Sequence, residues 1–245
     1  LSDRSVAKCG DRPQIVNTGN GLWLFWNEAR SKNRLMAKKL YASETFQVTP
    51  TILNSEVNTP TTIATDGRYV LLAWSLHQEK SYSIGSDIIG VIWDSVTKAI
   101  VIPNPESATI FRKVGTGTVP GVLWIKEGTN YISSSPFDGS AQAYQAVYDG
   151  KDFWVTWSTI HFSEGNTAWG TVLAHRISTR RINPITGSFY GEQTRELLSG
   201  PTPLRNPFMM SNGSKLILLY ETEAPEGQKI IQSKFFIRAT EELWI

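Results

Sequence analysis

The chain has 245 residues, 40% of them hydrophobic, with 24 Lys plus Arg against 22 Asp plus Glu and a formal charge of +2. That composition is too apolar for a disordered chain and long enough to bury a sizeable core. The near balance of charge lacks the clustered basic face expected of a nucleic-acid binder. Apolar runs such as Tyr69 to Trp74 and Ile88 to Trp93 fall far short of the ~20 residues that span a bilayer, so no membrane insertion is expected. A single cysteine, Cys9, excludes an intrachain disulfide, and with His77, His161 and His175 at unrelated spacings no metal site and no cofactor are expected.

In chain order, residues 1–10 are polar and lack the apolar core of a signal peptide. The start at Leu1 reads as a processed protein or an excised fragment. The aromatic residues then fall in short alternating runs bounded by Gly, Asn, Asp and Ser, which is the period-two signature of strands. Four segments share one outline: a strand, a glycine turn, and an apolar strand closed by an aromatic. They are Arg12–Val16, Asn20-Gly21 and Leu22–Trp26; Thr59–Ile63, Asp66-Gly67 and Arg68–Trp74; Tyr144–Val147, Asp149-Gly150 and Lys151–Trp157; and Asn206–Met210, Asn212-Gly213 and Ser214–Tyr220. Asn-Gly and Asp-Gly supply the two positive-φ positions of a tight hairpin turn, so each segment is expected to be a β-hairpin. Val119–Ile125 followed by Glu127-Gly128 and Asn130–Ile132 repeats the outline without the aromatic. Units of roughly 45–50 residues fit propeller blades. The expectation is one all-β domain over 1–245, a β-propeller of about five blades or of four larger ones, with strands over 230–245 helping to close the ring.

Downstream of two hairpins lie Ser86-Asp87-Ile88-Ile89-Gly90 and Asn166-Thr167-Ala168-Trp169-Gly170. Asp66-Gly67 to Trp74 with Asp87-Ile88-Ile89-Gly90, and Asp149-Gly150 to Trp157 with Trp169-Gly170, resemble the repeat of bacterial surface and secreted propellers. That resemblance implies architecture and an extracellular or surface-exposed setting. The stretch Asp11-Arg12-Pro13 resembles the first inner strand of five-bladed arabinanase and xylosidase-type hydrolases, where an aspartate acts as base. Arg12-Pro13 with Asn27-Glu28-Ala29-Arg30 is similar to the arginine-containing opening of sialidases.

Candidate chemistry is sparse, with no Gly-x-Ser-x-Gly elbow and no phosphate loop. Trp26, Trp74, Trp157 and Tyr220 are expected to pack blade against blade. Trp124 and Trp169 lie outside the repeated strands, where an exposed ring can stack on a sugar. Arg12 and Arg205 stand at the openings of the first and last units, and a pair of arginines favours an anionic ligand. Arg176, Arg180 and Arg181 read as a solvated hairpin face. The sequence therefore points to a non-catalytic recognition module, binding a glycan or a protein partner through Arg12, Trp124, Trp169 and Arg205, with no catalytic residue assigned. Two alternatives stay open: a glycoside hydrolase using Asp11, Asp87 and Glu127, with Glu164 in reserve, since hydrolysis needs two placed carboxyl groups, and a structural module of a larger chain or assembly.

Overall fold

A computed structural model of the chain describes residues 10–28, 34–48, 61–76, 87–102, 113–114, 117–118, 123–126, 137–138, 142–163, 171–189, 194–213, 215–237 and 242–244. Among them there is no helix, and the fold class is an all-β propeller with four blades found. The chain groups into two compact units, 1–76 with 90–123 and 77–89 with 124–245.

In the first unit, β1 (Gly10–Thr18), β2 (Gly21–Glu28), β3 (Arg34–Lys39) and β4 (Thr45–Gln47) form one sheet in sequential order. A second sheet contains β5 (Thr62–Thr65), β6 (Tyr69–Leu76), β7 (Asp87–Asp94) and β8 (Ala99–Ile102), the last paired to β7. A small hairpin pairs β9 (Lys113–Val114) with β10 (Gly117–Thr118). The second sheet also holds β11 (Leu123–Lys126), beside β7. The weak fifth repeat is thereby explained: its described strand is an edge of an existing blade, which corresponds to the four-blade form of the expectation. A third sheet runs β12 (Phe137–Asp138), β14 (Phe153–Phe162), β15 (Val172–Ile182) and β16 (Arg195–Gly200), with β13 (Gln142–Tyr148) also paired to β14. The fourth is β17 (Arg205–Ser211), β18 (Lys215–Glu223), β19 (Lys229–Ile237) and β20 (Glu242–Trp244) in sequential order.

All four hairpins form, but none turns on an Asn-Gly or Asp-Gly pair with two positive φ values. Only the glycines take positive φ (Gly21 114°, Gly67 101°, Gly150 93°, Gly213 88°), while Asn20, Asp66, Asp149 and Asn212 do not. The carboxylate of Asp66 instead accepts the backbone N–H groups of Arg68 and Tyr69 at 2.8 and 2.7 Å, and Asp149 accepts those of Lys151 and Asp152 at 2.8 Å each. These are Asx turns, in which the side chain replaces a backbone acceptor. In the first hairpin Thr18 pairs directly with Gly21, so the loop is shorter and Trp26 follows its glycine by fewer residues than the other closing aromatics do.

The closing aromatics are buried as expected: Trp26 is 5% exposed, Trp74 0%, Trp157 1% and Tyr220 4%. In the first unit the Trp23 ring meets that of Trp93 edge-on at 4.7 Å between centroids, and Phe25 meets the same ring at 5.7 Å. This joins the first sheet to the second, and T-shaped pairs of this kind add to area burial. In the second unit Trp154, Ile177, Leu204, Met209, Leu216 and Tyr220 share one cluster between the third and fourth sheets. First strands of successive sheets are also tied by glutamine side chains. Gln14 donates to the Thr61 carbonyl, and Gln145 accepts the Met209 N–H at 2.6 Å.

Candidate functional site

Three of the four opening strands carry a β-bulge in the same place. In β1 the ladder steps from Asp11–Asn27 to Gln14–Phe25, leaving Arg12 and Pro13 against Trp26. In β17 it steps from Arg205–Glu221 to Phe208–Leu219, leaving Asn206 and Pro207 against Tyr220. In β13 the extra residue is Ala143, beside Trp157. Proline has no N–H to donate, so a bulge is one of the few strand positions that accepts it. A bulge also bends the strand and re-aims its neighbours, and such features gather at sites.

The bulges set Arg12 and Arg205 at different register positions. Arg205 is the last paired residue before its bulge, whereas Arg12 is inside one. The ladder counterpart of Arg205 is Asp11, and in β13 it is Gln142. The two arginines therefore hold different ladder positions, because each bulge adds a residue that simple counting from the turn glycine misplaces.

Of the sequence candidates, Arg205 is the one whose surroundings are described in full. It lines a shallow notch with Pro203, Glu221, Thr222, Glu223 and Lys229 at one end of the fourth sheet. Its guanidinium, 45% exposed, lies 3.5 Å from the Glu223 carboxylate. Glu221 is its register partner, and Lys229 is the register partner of Glu223. On β15, His175 feels both Arg205 and Glu223. Burial and then the Arg205 charge lower its pKa, against a smaller opposing pull from Glu223. The notch offers donors and carboxylate acceptors side by side, which suits a polar, hydroxyl-rich or charged ligand.

Glu223 and Lys229 were not singled out from sequence, although the signal was present. Residues 221 and 223 share a strand face by alternation, and the Ala224–Gln228 turn, with Gly227 at φ 76°, sets Lys229 opposite Glu223.

The other candidates stand as follows. Asp11 and Arg12 lie on β1, Asp87 opens β7, and Trp124 lies on β11; the backbone of each is described, its side chain is not. Glu127, Glu164 and Trp169, like His77 and Cys9, lie outside the described residues. The arginines on β15 are not a solvated face. Arg181, 13% exposed, pairs with the fully buried Asp152 at 2.8 Å. Arg180 sits 3.8 Å over the Phe189 ring and donates to the Ile125 carbonyl at 3.0 Å, and Arg176 pairs with Glu196 at 2.9 Å. Adjacent positions on a strand point to opposite faces, so Arg180 and Arg181 take separate partners. Among the described residues no group of three or more His, Cys, Asp or Glu is arranged to hold a metal ion, and no helix is long and apolar enough to cross a membrane.

No protein-family model and no curated protein matches the sequence. Solved structures do. The chain is similar to the subtype N10 neuraminidase-like protein of A/little yellow-shouldered bat/Guatemala/060/2010, at TM-score 0.51 and 8% identity over 98% of this chain and 59% of that one. It is also similar to the α-L-arabinofuranosidase Arb93A of Fusarium graminearum, at TM-score 0.50 and 9% identity over 93% of this chain and 62% of that one. The chain thus spans about three-fifths of each. At such identity the likeness establishes the fold, a propeller with structural neighbours among glycosidase and neuraminidase-like propellers.

Proposed function

We propose that the chain is a non-catalytic recognition propeller that binds a glycan at the notch around Arg205, in an extracellular or surface-exposed setting. The observation carrying this reading is the half-exposed Arg205 held beside Glu223, with Glu221 and Lys229 flanking it. A planar guanidinium and neighbouring carboxylates can bond several hydroxyl or carboxylate oxygens of one sugar at once. The two similar propellers, a neuraminidase-like protein and an arabinofuranosidase, support the same ligand class. Fold alone does not carry function, so the argument rests on the notch. Trp124 and Trp169 remain proposed stacking partners, and Arg12 a proposed anion contact.

The second reading is a glycoside hydrolase using Asp11, Asp87 and Glu127. Its support is that Asp11 is the ladder counterpart of Arg205, just before a bulge. A glycan array with released-sugar analysis separates the two. Saturable binding without sugar release, weakened about tenfold or more by Arg205→Ala through loss of a charge-assisted contact, is the expected result. Sugar release abolished by Asp11→Asn or Asp87→Asn would establish the hydrolase instead, and the absence of both binding and release would leave the structural or protein-binding role.

A further inference from the structure

The fourth sheet has two faces of similar apolar character, and only one of them is buried. Leu216, Leu218, Tyr220 and Thr222 point to the cluster containing Trp154 and Ile177. The alternate residues of β18 read Lys215, Ile217, Leu219, Glu221 and Glu223, which is a base, two aliphatics and two acids along one line. Register sets Met210 and Phe235 on either side of Ile217, and Phe208 beside Leu219. The flanking side chains are exposed: Phe208 48%, Met210 39% and Phe235 46%, with Ile231 at 75% beside Glu221. A contiguous apolar patch of this kind, rimmed by charge, is the usual mark of an interaction surface.

We propose that this face pairs with the same face of a second copy of the chain. The argument is the charge order along β18. Under a twofold axis lying in the interface, parallel to the sheet, perpendicular to β18 and level with Leu218, the two faces meet and the facing strands run antiparallel. Lys215 of each then meets the Glu221–Glu223 end of the other, and the apolar rows meet in the middle. An isologous interface requires self-complementarity of this kind. Arg205, 3.5 Å from Glu223, and Lys229, the register partner of Glu223, stand at the same end and form part of the polar rim. Three strands ~4.8 Å apart and about seven residues long offer less than the ~800 Å² per partner of a standard interface, so the dimer is weak, with a dissociation constant in the roughly 10–100 µM range. The proposal does not depend on the glycan reading.

Sedimentation equilibrium of the full 245-residue chain from about 5 to 500 µM, a range bracketing that constant, tests it. A monomer–dimer equilibrium is expected, with Phe235→Asp monomeric throughout. Lys215→Glu, a change at an exposed position, weakens the dimer about tenfold because each pair occurs twice across the axis. Mixing Lys215→Glu with Glu223→Lys copies restores association as a heterodimer. Circular dichroism melting of each variant shows whether it is folded. A chain that stays monomeric at every concentration, or a dimer indifferent to Lys215→Glu, overturns the proposal. The first of those outcomes leaves the face for a different sheet.

Discussion

Asp149 shows how much one side chain does in this fold. It is 1% exposed, and its two oxygens accept the N–H groups of Lys151 and Asp152 and the indole Nε1–H of Trp154, the last at 2.9 Å. It therefore organises the turn and satisfies the one polar atom of a tryptophan that anchors the core between the third and fourth sheets. Asp66 holds the same place in its turn but accepts only the two backbone groups. Asp149→Ala leaves three donors without an acceptor, one of them deep in the core, and is expected to cost about 2–4 kcal/mol. Asp66→Ala, whose donors can turn to water, is expected to cost ~1 kcal/mol. Urea unfolding of the two variants checks the ordering, and equal losses would mean that the indole contact adds nothing. The Asp-Gly turns were legible from sequence alone. The sequence pattern did not reveal the aspartate's second oxygen reaching Trp154, because that contact depends on the side chain folding back over its own hairpin.

At the scale of the strand pair, the turn glycines and the bulges set what each blade presents. Gly213 has φ +88° with open space where a Cβ would stand, so substitution there meets strain and nothing else. Gly213→Ala is expected to cost about 1–2 kcal/mol, and Gly213→Asn less, because asparagine tolerates positive φ. Thermal melting of the pair reads that difference directly; an alanine variant as stable as the parent would show that the turn relaxes. The hairpins could be read because alternation and turn chemistry are both local. The bulges beside Trp26, Trp157 and Tyr220 could not, since an added residue leaves the hydrophobic pattern nearly intact while shifting register beyond it. That shift is why Arg12 and Arg205, each at the opening of its unit, stand at different points of their ladders. For the same reason β11 resembled the start of a fifth blade: its pairing with β7 is a long-range choice that local pattern does not encode.

For the whole molecule, His175 and Asp94 give a stability profile in two steps. His175 has a lowered pKa, from burial first and the charge of Arg205 second. The folded state thus disfavours its protonation. The unfolded chain takes up that proton as pH falls through about 6.5, so stability is lost progressively below that value. Asp94 is 1% exposed. Burial alone raises its pKa, but hydrogen bonds from Arg68 at 2.8 Å and from the Val96 N–H at 2.8 Å outweigh it and leave the pKa lowered. Its contribution is complete above the unfolded value of about 3.9 and disappears as pH falls below it. Melting temperature measured from pH 8 to pH 3 is expected to fall first between about 6.5 and 5, then again below about 4. His175→Gln should remove the first fall and keep the second, while Asp94→Asn, already lacking the ion pair, should begin lower and lose the second. The His175 variant carries the sharper test because the residue lies beside Arg205 and Glu223. If its profile matched that of the parent, His175 would be titrating as a solvated imidazole, and the charge cluster around the Arg205 notch would not be as closely coupled as the geometry requires.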